Sequence, residues 1–280
     1  MPPYNAGVKL ELRGHTLDLE RPRLMGVLNV TPDSFSDGGR YPSVEAALAR
    51  ARTMQAEGAD LIDVGGESTR PGAAPVSPDE EKRRVLPVLE ALLELGIPVS
   101  IDTRKPEVAA EALALGAHLL NDVGGLRDGR MVRLAAEYGV PVVIMHSPVN
   151  DPQTMMQHAR YDDVVREVAG FLRHQAEGAL AAGVPAVVLD PGFGFGKRLE
   201  HNLELLRRLD ELASLGHPVL AGLSRKRTIG ELTGVDAPER RVCGSVAAHL
   251  AAVARGARIL RVHDVAAHAQ ALAVWNGVEA

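Results

Sequence analysis

Polar side chains recur at the last positions of short apolar runs along this 280-residue chain. Residues two apart on a β-strand share a face, so each run can direct a polar side chain toward one common surface. Arg261 and His263 would lie ~7 Å apart on such a face, a spacing suited to gripping an anion with several oxygens. For any single Asp the alternative is a cap on loop amides, but as a set these residues predict one binding site. The set comprises Asn29, Asp63, Asp102, Asn121, Asp190, Arg261 and His263.

Two loops beside these positions, residues 29–39 and 65–73, are longer than a strand-to-helix turn requires. Their Gly, Pro and Ser content suits segments that order over a ligand. Phe35 in the first loop either packs back onto the barrel or covers an aromatic substrate. Residues 192–197 lack both the glycine spacing and the final Ser or Thr of a phosphate-binding loop. No two of the ten histidines have the four-residue offset of a zinc-binding helix.

Regularly alternating elements would position these side chains. Short apolar runs alternate with longer Ala-, Leu- and Arg-rich stretches of helical period, which is typical of parallel βα units. A glycine that can close the preceding helix stands shortly before seven of the runs. The predicted strands are 23–30, 60–65, 98–103, 118–123, 141–146, 186–190, 218–223 and 258–263. The predicted helices include 44–57, 79–95, 106–115, 163–182, 203–215 and 238–255.

Eight such units without a break in composition favour closure of the sheet. We therefore predict an α/β protein, a single (β/α)8 TIM barrel spanning residues 1–280. Residues 8–20 alternate apolar and polar side chains around Gly14, which predicts an N-terminal β-hairpin that covers one end of the barrel. An open, doubly wound sheet is the structural alternative.

Composition narrows the class of partner. The net charge of −5 gives no general attraction to nucleic acid or to acidic membranes, and 3% aromatic residues disfavour a base-stacking platform. A single cysteine, Cys243, permits neither an internal disulfide nor a cysteine-based zinc site. No basic leader and no long apolar run is present. We expect a cytoplasmic protein that acts on small molecules, with neither nucleic acid nor a membrane as partner.

The loop motifs together resemble one enzyme family. Residues 29–39 (NVTPDSFSDGG), 65–73 (GGESTRPGA) and 190–197 (DPGFGFGK) carry most of the resemblance, which is to the dihydropteroate synthases. Residues 100–104, 121–125, 224–227 and 261–265 complete it. The resemblance implies a folate-pathway enzyme, inhibited by sulfonamides, that condenses 7,8-dihydropterin-6-ylmethyl diphosphate with 4-aminobenzoate. It also implies assistance by Mg²⁺ and a homodimer.

The same resemblance implies roles for individual residues. The pterin would be held deep in the barrel by Asp102, Asn121, Met145, Asp190 and Lys226. The diphosphate would be bound by Asn29, Arg70, Arg261 and His263, with Asn29 also holding Mg²⁺. The 4-aminobenzoate would contact Phe35, Thr69, Pro71, Phe195, Lys226 and the backbone near Arg227. Catalytic roles would belong to Asp37, Asp102, Lys226, Arg261 and His263.

These residue types suit the implied chemistry. An ionised carboxylate can accept two N–H groups of an amino-pyrimidinone edge, and an amide satisfies the remaining edge. Cationic groups stabilise the charge that gathers on a departing diphosphate. We hypothesise a dissociative displacement in which Asp37 or Asp102 helps to stabilise a cationic methylene. An arylamine is already nucleophilic near neutral pH, so a strong general base is unnecessary.

Three other functions would use a similar barrel. A pterin-dependent methyl carrier for a corrinoid methyltransferase would share the pterin carboxylates but would not need Arg261, His263 or the two long loops. A sugar-phosphate enzyme would carry a Gly-rich phosphate cradle after the last two strands, where this chain has SRKR and RVHD. A protein that only sequesters pterin would need no ordered loops or metal.

Overall fold

The structure, a computed structural model, describes residues 9–31, 43–68, 75–151 and 153–279. Its strands are β1 (Lys9–Leu12), β2 (His15–Asp18), β3 (Arg23–Asn29), β4 (Leu61–Gly65), β5 (Val99–Asp102), β6 (Leu119–Asp122), β7 (Val142–Met145), β8 (Val187–Asp190), β9 (Val219–Ala221) and β10 (Ala257–Val262). Strands β3 to β10 pair in chain order and β10 pairs with β3, so the sheet is closed. The predicted (β/α)8 barrel is confirmed, and the open sheet is excluded.

Helices follow the strands as the periodicity predicts. They are α1 (Val44–Ala56), α2 (Pro78–Leu93), α3 (Pro106–Leu115), α4 (Gly129–Tyr138), α5 (Val164–Ala181), α6 (Leu199–Arg207), α7 (Leu209–Ala213), α8 (Arg227–Thr233), α9 (Val242–Val253) and α10 (Val265–Glu279). All seven glycines predicted to close helices have positive φ; Gly139, at φ 64°, ends α4. No helix in the described part of the chain combines the length and apolar character of a membrane span.

Two predicted helices are divided. The prediction of one helix over 203–215 is wrong, because the backbone leaves helical geometry at Arg208, with φ −111° and ψ 29°, between α6 and α7. The prediction over 238–255 is wrong at its start, where Pro238–Arg240 forms a separate 3-10 turn before α9. In both cases the apolar period continues across the break, so periodicity alone does not reveal it.

The barrel interior is layered. Alternate strand residues point inward, and the layer nearest the strands' amino ends is apolar: Met25, Leu61, Leu119, Val143, Val188, Leu220 and Ile259. Leucines of the β1–β2 hairpin and its flank pack against this layer: Leu10, Leu12, Leu17 and Leu19. The predicted hairpin is therefore confirmed, and it closes the amino end of the barrel. Polar residues two positions further along the strands form the next layer, toward the carboxyl ends.

Candidate active site

The inward-facing residues at the carboxyl ends of the strands form a compact polar layer. Asp63 lies on β4, Asn121 on β6 and Asp190 on β8, and all three side chains are buried. Met145 stands beside Asp190 in the parallel register of β7 and β8. The alternation seen in the sequence thus brings the predicted pterin residues to one place inside the barrel mouth. This is the end at which TIM barrels carry their active sites.

Arg261 is the centre of this layer. Its Nε donates to Asp63 Oδ2 and its Nη2 donates to Asp102 Oδ2, each at 2.6 Å. Asn121 Nδ2 donates to the same Asp63 oxygen at 3.0 Å. Two of the five guanidinium N–H groups are therefore committed to carboxylates. Arg261, predicted at the diphosphate, shares one hydrogen-bonded cluster with Asp102 and Asn121, predicted at the pterin.

Burial governs the ionisation of the carboxyl groups. It raises the pKa of Asp102 to about 7, because the opposing charge of Arg261 only partly offsets the lost hydration and the Asp63 charge adds to the rise. Burial also raises the pKa of Asp190, against hydrogen bonding from the Gly192 N–H, which lies 2.7 Å from Asp190 Oδ1. The pocket at the carboxyl ends of the strands is thus lined by poorly hydrated carboxyl groups, so a hydrogen bond from a ligand N–H to an ionised carboxylate there is strong.

Lys226 and Phe195 meet at the rim of this pocket. Lys226 precedes α8, and its Nζ lies 4.1 Å from the centroid of the Phe195 ring. A cation placed over an aromatic face is attracted to the ring. Phe195 belongs to the loop that begins directly after Asp190 on β8. A residue predicted to bind 4-aminobenzoate thus contacts one predicted to bind both substrates.

His263 sits beside the polar layer as a neutral imidazole. Its backbone N–H donates to Ser224 Oγ at 3.1 Å, and its Nδ1 lies 3.0 Å from the same oxygen; in the tautomer in which Nδ1 accepts from the hydroxyl, Nε2 carries the hydrogen. Burial lowers the pKa of His263 to about 3, and the charges of Arg261 and Arg225 add to this effect. The ring can therefore offer an anion the N–H of Nε2 but no positive charge of its own in this state.

Of the remaining predicted residues, two are described by the structure, and the others are not. Asn29 ends β3, half-buried, beside Gly65 in register. Arg227 is exposed, and its Nε donates to Glu231 along α8 at 2.6 Å, so its side chain lies outside the polar layer. The others lie outside the described residues: Phe35, Asp37, Thr69, Arg70 and Pro71.

The donor set is compatible with Mg²⁺ only when a substrate contributes. Among the described residues no group of three or more His, Cys, Asp or Glu side chains could hold a metal. Asn29 offers an amide oxygen at the strand end, a ligand type that Mg²⁺ accepts. Mg²⁺ usually combines one or two protein oxygens with phosphate oxygens and waters, so Asn29 together with a diphosphate fits its preference.

Three further residues support the site in ways that sequence reasoning missed. Asp63 is among the strand-end residues, yet nothing in its position predicts that it anchors Arg261, 198 residues away. Glu67 accepts a hydrogen bond from Val76 N–H at 3.1 Å and pairs with Arg104 and Lys105, so it fixes both flanks of residues 69–74. Lys197 is buried within the loop after β8. The Gly-rich sequence of that loop is the signal that could have drawn attention to it.

Comparison with known proteins gives consistent matches over almost the whole chain. A family model described as "Pterin binding enzyme" matches residues 25–263. A dihydropteroate synthase of Neisseria meningitidis serogroup B is 50% identical over 270 residues, covering 94% of each chain. The structure of the Thermus thermophilus dihydropteroate synthase in complex with 4-aminobenzoate has a TM-score of 0.90 and 67% identity, covering 97% of this chain and 100% of that one. That of the Xanthomonas albilineans enzyme in complex with 7,8-dihydropteroate has a TM-score of 0.88 and 51% identity, covering 98% and 99%.

Proposed function

The chain belongs to the dihydropteroate synthases, a family of pterin-binding transferases, and we propose that it joins 7,8-dihydropterin-6-ylmethyl diphosphate to 4-aminobenzoate. The products are 7,8-dihydropteroate and diphosphate. The observation that carries the proposal is the cluster in which Arg261 contacts both Asp63 and Asp102. It unites acceptors for a heterocycle edge with a cation for a leaving anion, and a methyl carrier or a sugar-phosphate enzyme does not need that combination.

The pterin is recognised by its hydrogen-bonding edges. Asp190 accepts from the amino-pyrimidinone N–H groups, while Asn121 and Asp102 satisfy the remaining polar atoms. Met145 forms one wall, and Lys226 donates from the rim. Because Asp190 is 7% exposed and Asn121 is 3% exposed, a ligand that leaves either unmatched loses ~1–3 kcal/mol.

The reaction breaks one C–O bond and forms one C–N bond. The bond between the methylene carbon and the diphosphate oxygen breaks, and the electron pair leaves with the diphosphate. The arylamine nitrogen then attacks the methylene and releases a proton to solvent. Arg261, Arg70 and the Nε2–H of His263 hold the departing oxygens, and Asp37 or Asp102 stabilises the cationic carbon. When bound through Asn29 and the diphosphate, Mg²⁺ supplies further positive charge to the leaving group.

The arylamine binds where the second substrate can reach the methylene. Phe195 and Lys226 provide an aromatic face and a cation for a ring that carries a carboxylate. Phe35, Thr69 and Pro71 belong to the two long loops and complete the subsite, with the backbone near Arg227. The contact between Phe195 and Lys226 at 4.1 Å supports placing this subsite directly above the pterin pocket.

The proposal extends to assembly and location: a cytoplasmic homodimer. Val274 and Val278 on α10 are 69% and 78% exposed, a pair of apolar side chains on one helix that a second copy of the chain could cover. Light scattering on the purified chain tests this directly. A dimer that dissociates in Val278→Glu supports the placement, whereas a wild-type monomer contradicts it.

Diphosphate release tests the function. The purified chain is incubated with the pterin diphosphate, 4-aminobenzoate and Mg²⁺, and diphosphate and dihydropteroate are measured together. We expect equal amounts of both products from the wild type and a loss of at least ~10²-fold in kcat/KM in Asp190→Asn, because the amide cannot accept both N–H groups. A protein that binds the pterin without releasing diphosphate would be a sequestering protein, and the proposal would be wrong.

A further inference from the structure

The loop after β8, which connects the two proposed substrate subsites, contains a buried ammonium group, that of Lys197. Lys197 is 3% exposed, and its Nζ donates to three backbone carbonyls, those of His146 at 3.2 Å, Gly192 at 3.0 Å and Phe195 at 3.0 Å. His146 Nδ1 also lies 3.0 Å from this nitrogen. A lysine ammonium has three N–H donors, so this cage uses all of them.

The carbonyl groups that bind Lys197 come from the residue after β7 and from two positions in the loop after β8. His146 directly follows Met145 at the end of β7, Gly192 follows Asp190 on the pterin side, and Phe195 lies on the arylamine side. The loop is pressed against β7, since a Cβ built on Gly192 would lie 1.9 Å from the His146 carbonyl oxygen. Gly192 has φ +67°, which a residue with a Cβ rarely adopts. The close approach to His146 and the positive φ together restrict the backbone of the loop at Gly192.

A second anchor, Asn202, holds the loop at its middle and at its end. Asn202 on α6 accepts from Gly194 N–H at 2.8 Å and donates to the carbonyl oxygens of Lys197 and Arg198. Asn202 thus fixes the middle and the end of the loop. The carbonyls of Gly192 and Phe195, on either side of that middle, are held from inside by Lys197.

We propose that Lys197 is a positioning residue: its ammonium sets the place of Phe195 relative to Asp190, and so aligns the arylamine with the bound pterin. This inference rests on the proposed function, because it assigns Phe195 to the arylamine and Asp190 to the pterin. Asp190 is also held by β8, whereas Phe195 lies within the loop, outside any strand or helix. Loss of the ammonium therefore displaces the arylamine subsite more than the pterin pocket.

The ionisation of Lys197 gives the proposal a second observable. Burial lowers the pKa of Lys197 to about 7, with the negative charge of Asp190 opposing the shift and Lys226 and Arg127 adding to it. His146, which also faces the ammonium, stays neutral because burial lowers its pKa to about 2. A neutral amine has two donors for three carbonyls, so the loop loosens as the pH rises.

The test compares Lys197→Met with Lys9→Met, a matched substitution at an exposed position of the N-terminal hairpin. At about pH 6, with saturating pterin diphosphate, we expect Lys197→Met to raise KM for 4-aminobenzoate about tenfold, while the dissociation constant of the bare dihydropterin changes less than about threefold. The KM of the wild type and of Lys9→Met should rise toward the Lys197→Met value between about pH 6 and about pH 9. The KM of Lys197→Met should stay flat.

Equal weakening of both substrates in Lys197→Met, or no change in either, would overturn the inference. If Lys197→Met does not fold, the pH profile of the wild type decides, and a flat KM for 4-aminobenzoate overturns it. If no variant forms dihydropteroate, the proposed function fails by itself. Calorimetric titration of 4-aminobenzoate, in the presence of pterin and diphosphate, then still shows whether Lys197 controls arylamine affinity.

Discussion

Asp102 and Arg261 show how single residues set the properties of the site. A carboxyl group paired with a guanidinium ordinarily has a pKa well below neutral pH, so it stays ionised. Here burial and the nearby charge of Asp63 raise the pKa of Asp102 to about 7 despite the pair. The site therefore contains an acid whose protonation changes near neutral pH. In the proposed function, its proton occupies an acceptor for the pterin.

This ionisation predicts a pH dependence of pterin binding. We expect the dissociation constant of the bare dihydropterin to rise as the pH falls through about 7, because protonated Asp102 loses an acceptor. Calorimetry between about pH 5.5 and about pH 8.5 measures this, and the pterin without diphosphate avoids titration of the phosphates. Asp102→Asn should bind weakly at every pH and show no such step. A step of unchanged size in Asp102→Asn would assign the proton to another group.

Asp63 gives a sharper version of the same prediction. In Asp63→Asn the amide oxygen can still accept from Arg261 and Asn121, but the charge that raises the pKa of Asp102 is gone. We expect the step in pterin binding to move to lower pH. Ser100→Ala is the matched control, since Ser100 neighbours Asp63 in register and its Oγ has no hydrogen-bond partner among the described residues. A step that moves equally in both variants would remove the charge from the explanation.

At the scale of elements, a chain of buried imidazoles ties the last helices to β9. His249 Nε2 lies 3.1 Å from the backbone N–H of Leu223 and 3.1 Å from the carbonyl oxygen of Ala221, the last residue of β9; in the tautomer that accepts from Leu223, the hydrogen of the ring is on Nδ1. His249 Nδ1 then donates to His268 Nε2 at 2.9 Å, and His268 Nδ1 donates to the Asp264 carbonyl at 2.7 Å. Each bond fixes the tautomer of the next ring. The loops that carry Lys226 and His263 are thereby joined through α9 and α10.

Protonation would break this chain, so it predicts acid sensitivity. Burial lowers the pKa of His249 to about 3, whereas an unfolded histidine titrates near about 6.5. The unfolded chain therefore binds the extra proton across this window, and the free energy of unfolding falls as the pH decreases, by up to ~1.4 kcal/mol per pH unit. His249→Gln should show a shallower slope in urea unfolding between about pH 4.5 and about pH 7. His174→Gln, at an exposed position on α5, should keep the wild-type slope; equal slopes in both variants would contradict the prediction.

The elements were largely predictable from local signals, and the contacts between them were not. Apolar alternation and closing glycines report on a few neighbouring residues, so they locate β3 to β10 and most helices. The break at Arg208 escapes them because the helical period continues through it. Arg261 contacts Asp63 from 198 positions away, and sequence parity shows only that both face inward. The buried place of Lys197 depends on the carbonyl of His146, 51 positions away, as well as on two carbonyls of its own loop, and no local pattern specifies the distant contact.

At the scale of the molecule, the hairpin that closes the barrel and the polar layer of the candidate active site lie at opposite ends of the barrel. The β1–β2 hairpin packs its leucines against the apolar layer at the amino ends of the strands. The polar layer with Asp102, Asp190 and Arg261 lies at the carboxyl ends. The apolar layer between them fills the interior, so the hairpin stabilises the barrel without contributing a side chain to the site. Stability and activity should therefore be separable by substitution.

Leu12 tests this separation. It is 0% exposed, and Leu12→Ala removes buried methyl groups from a layer that can only partly collapse, so we expect ~2–5 kcal/mol of lost stability in urea unfolding. At temperatures where the variant remains folded, kcat and both KM values should stay within about twofold of the wild type, because a cavity at the amino end leaves the polar layer in place. Thr16→Ala, on the exposed face of the same hairpin, should change neither property. A loss of turnover in folded Leu12→Ala, in proportion to its loss of stability, would show that the apolar layer transmits strain to the site.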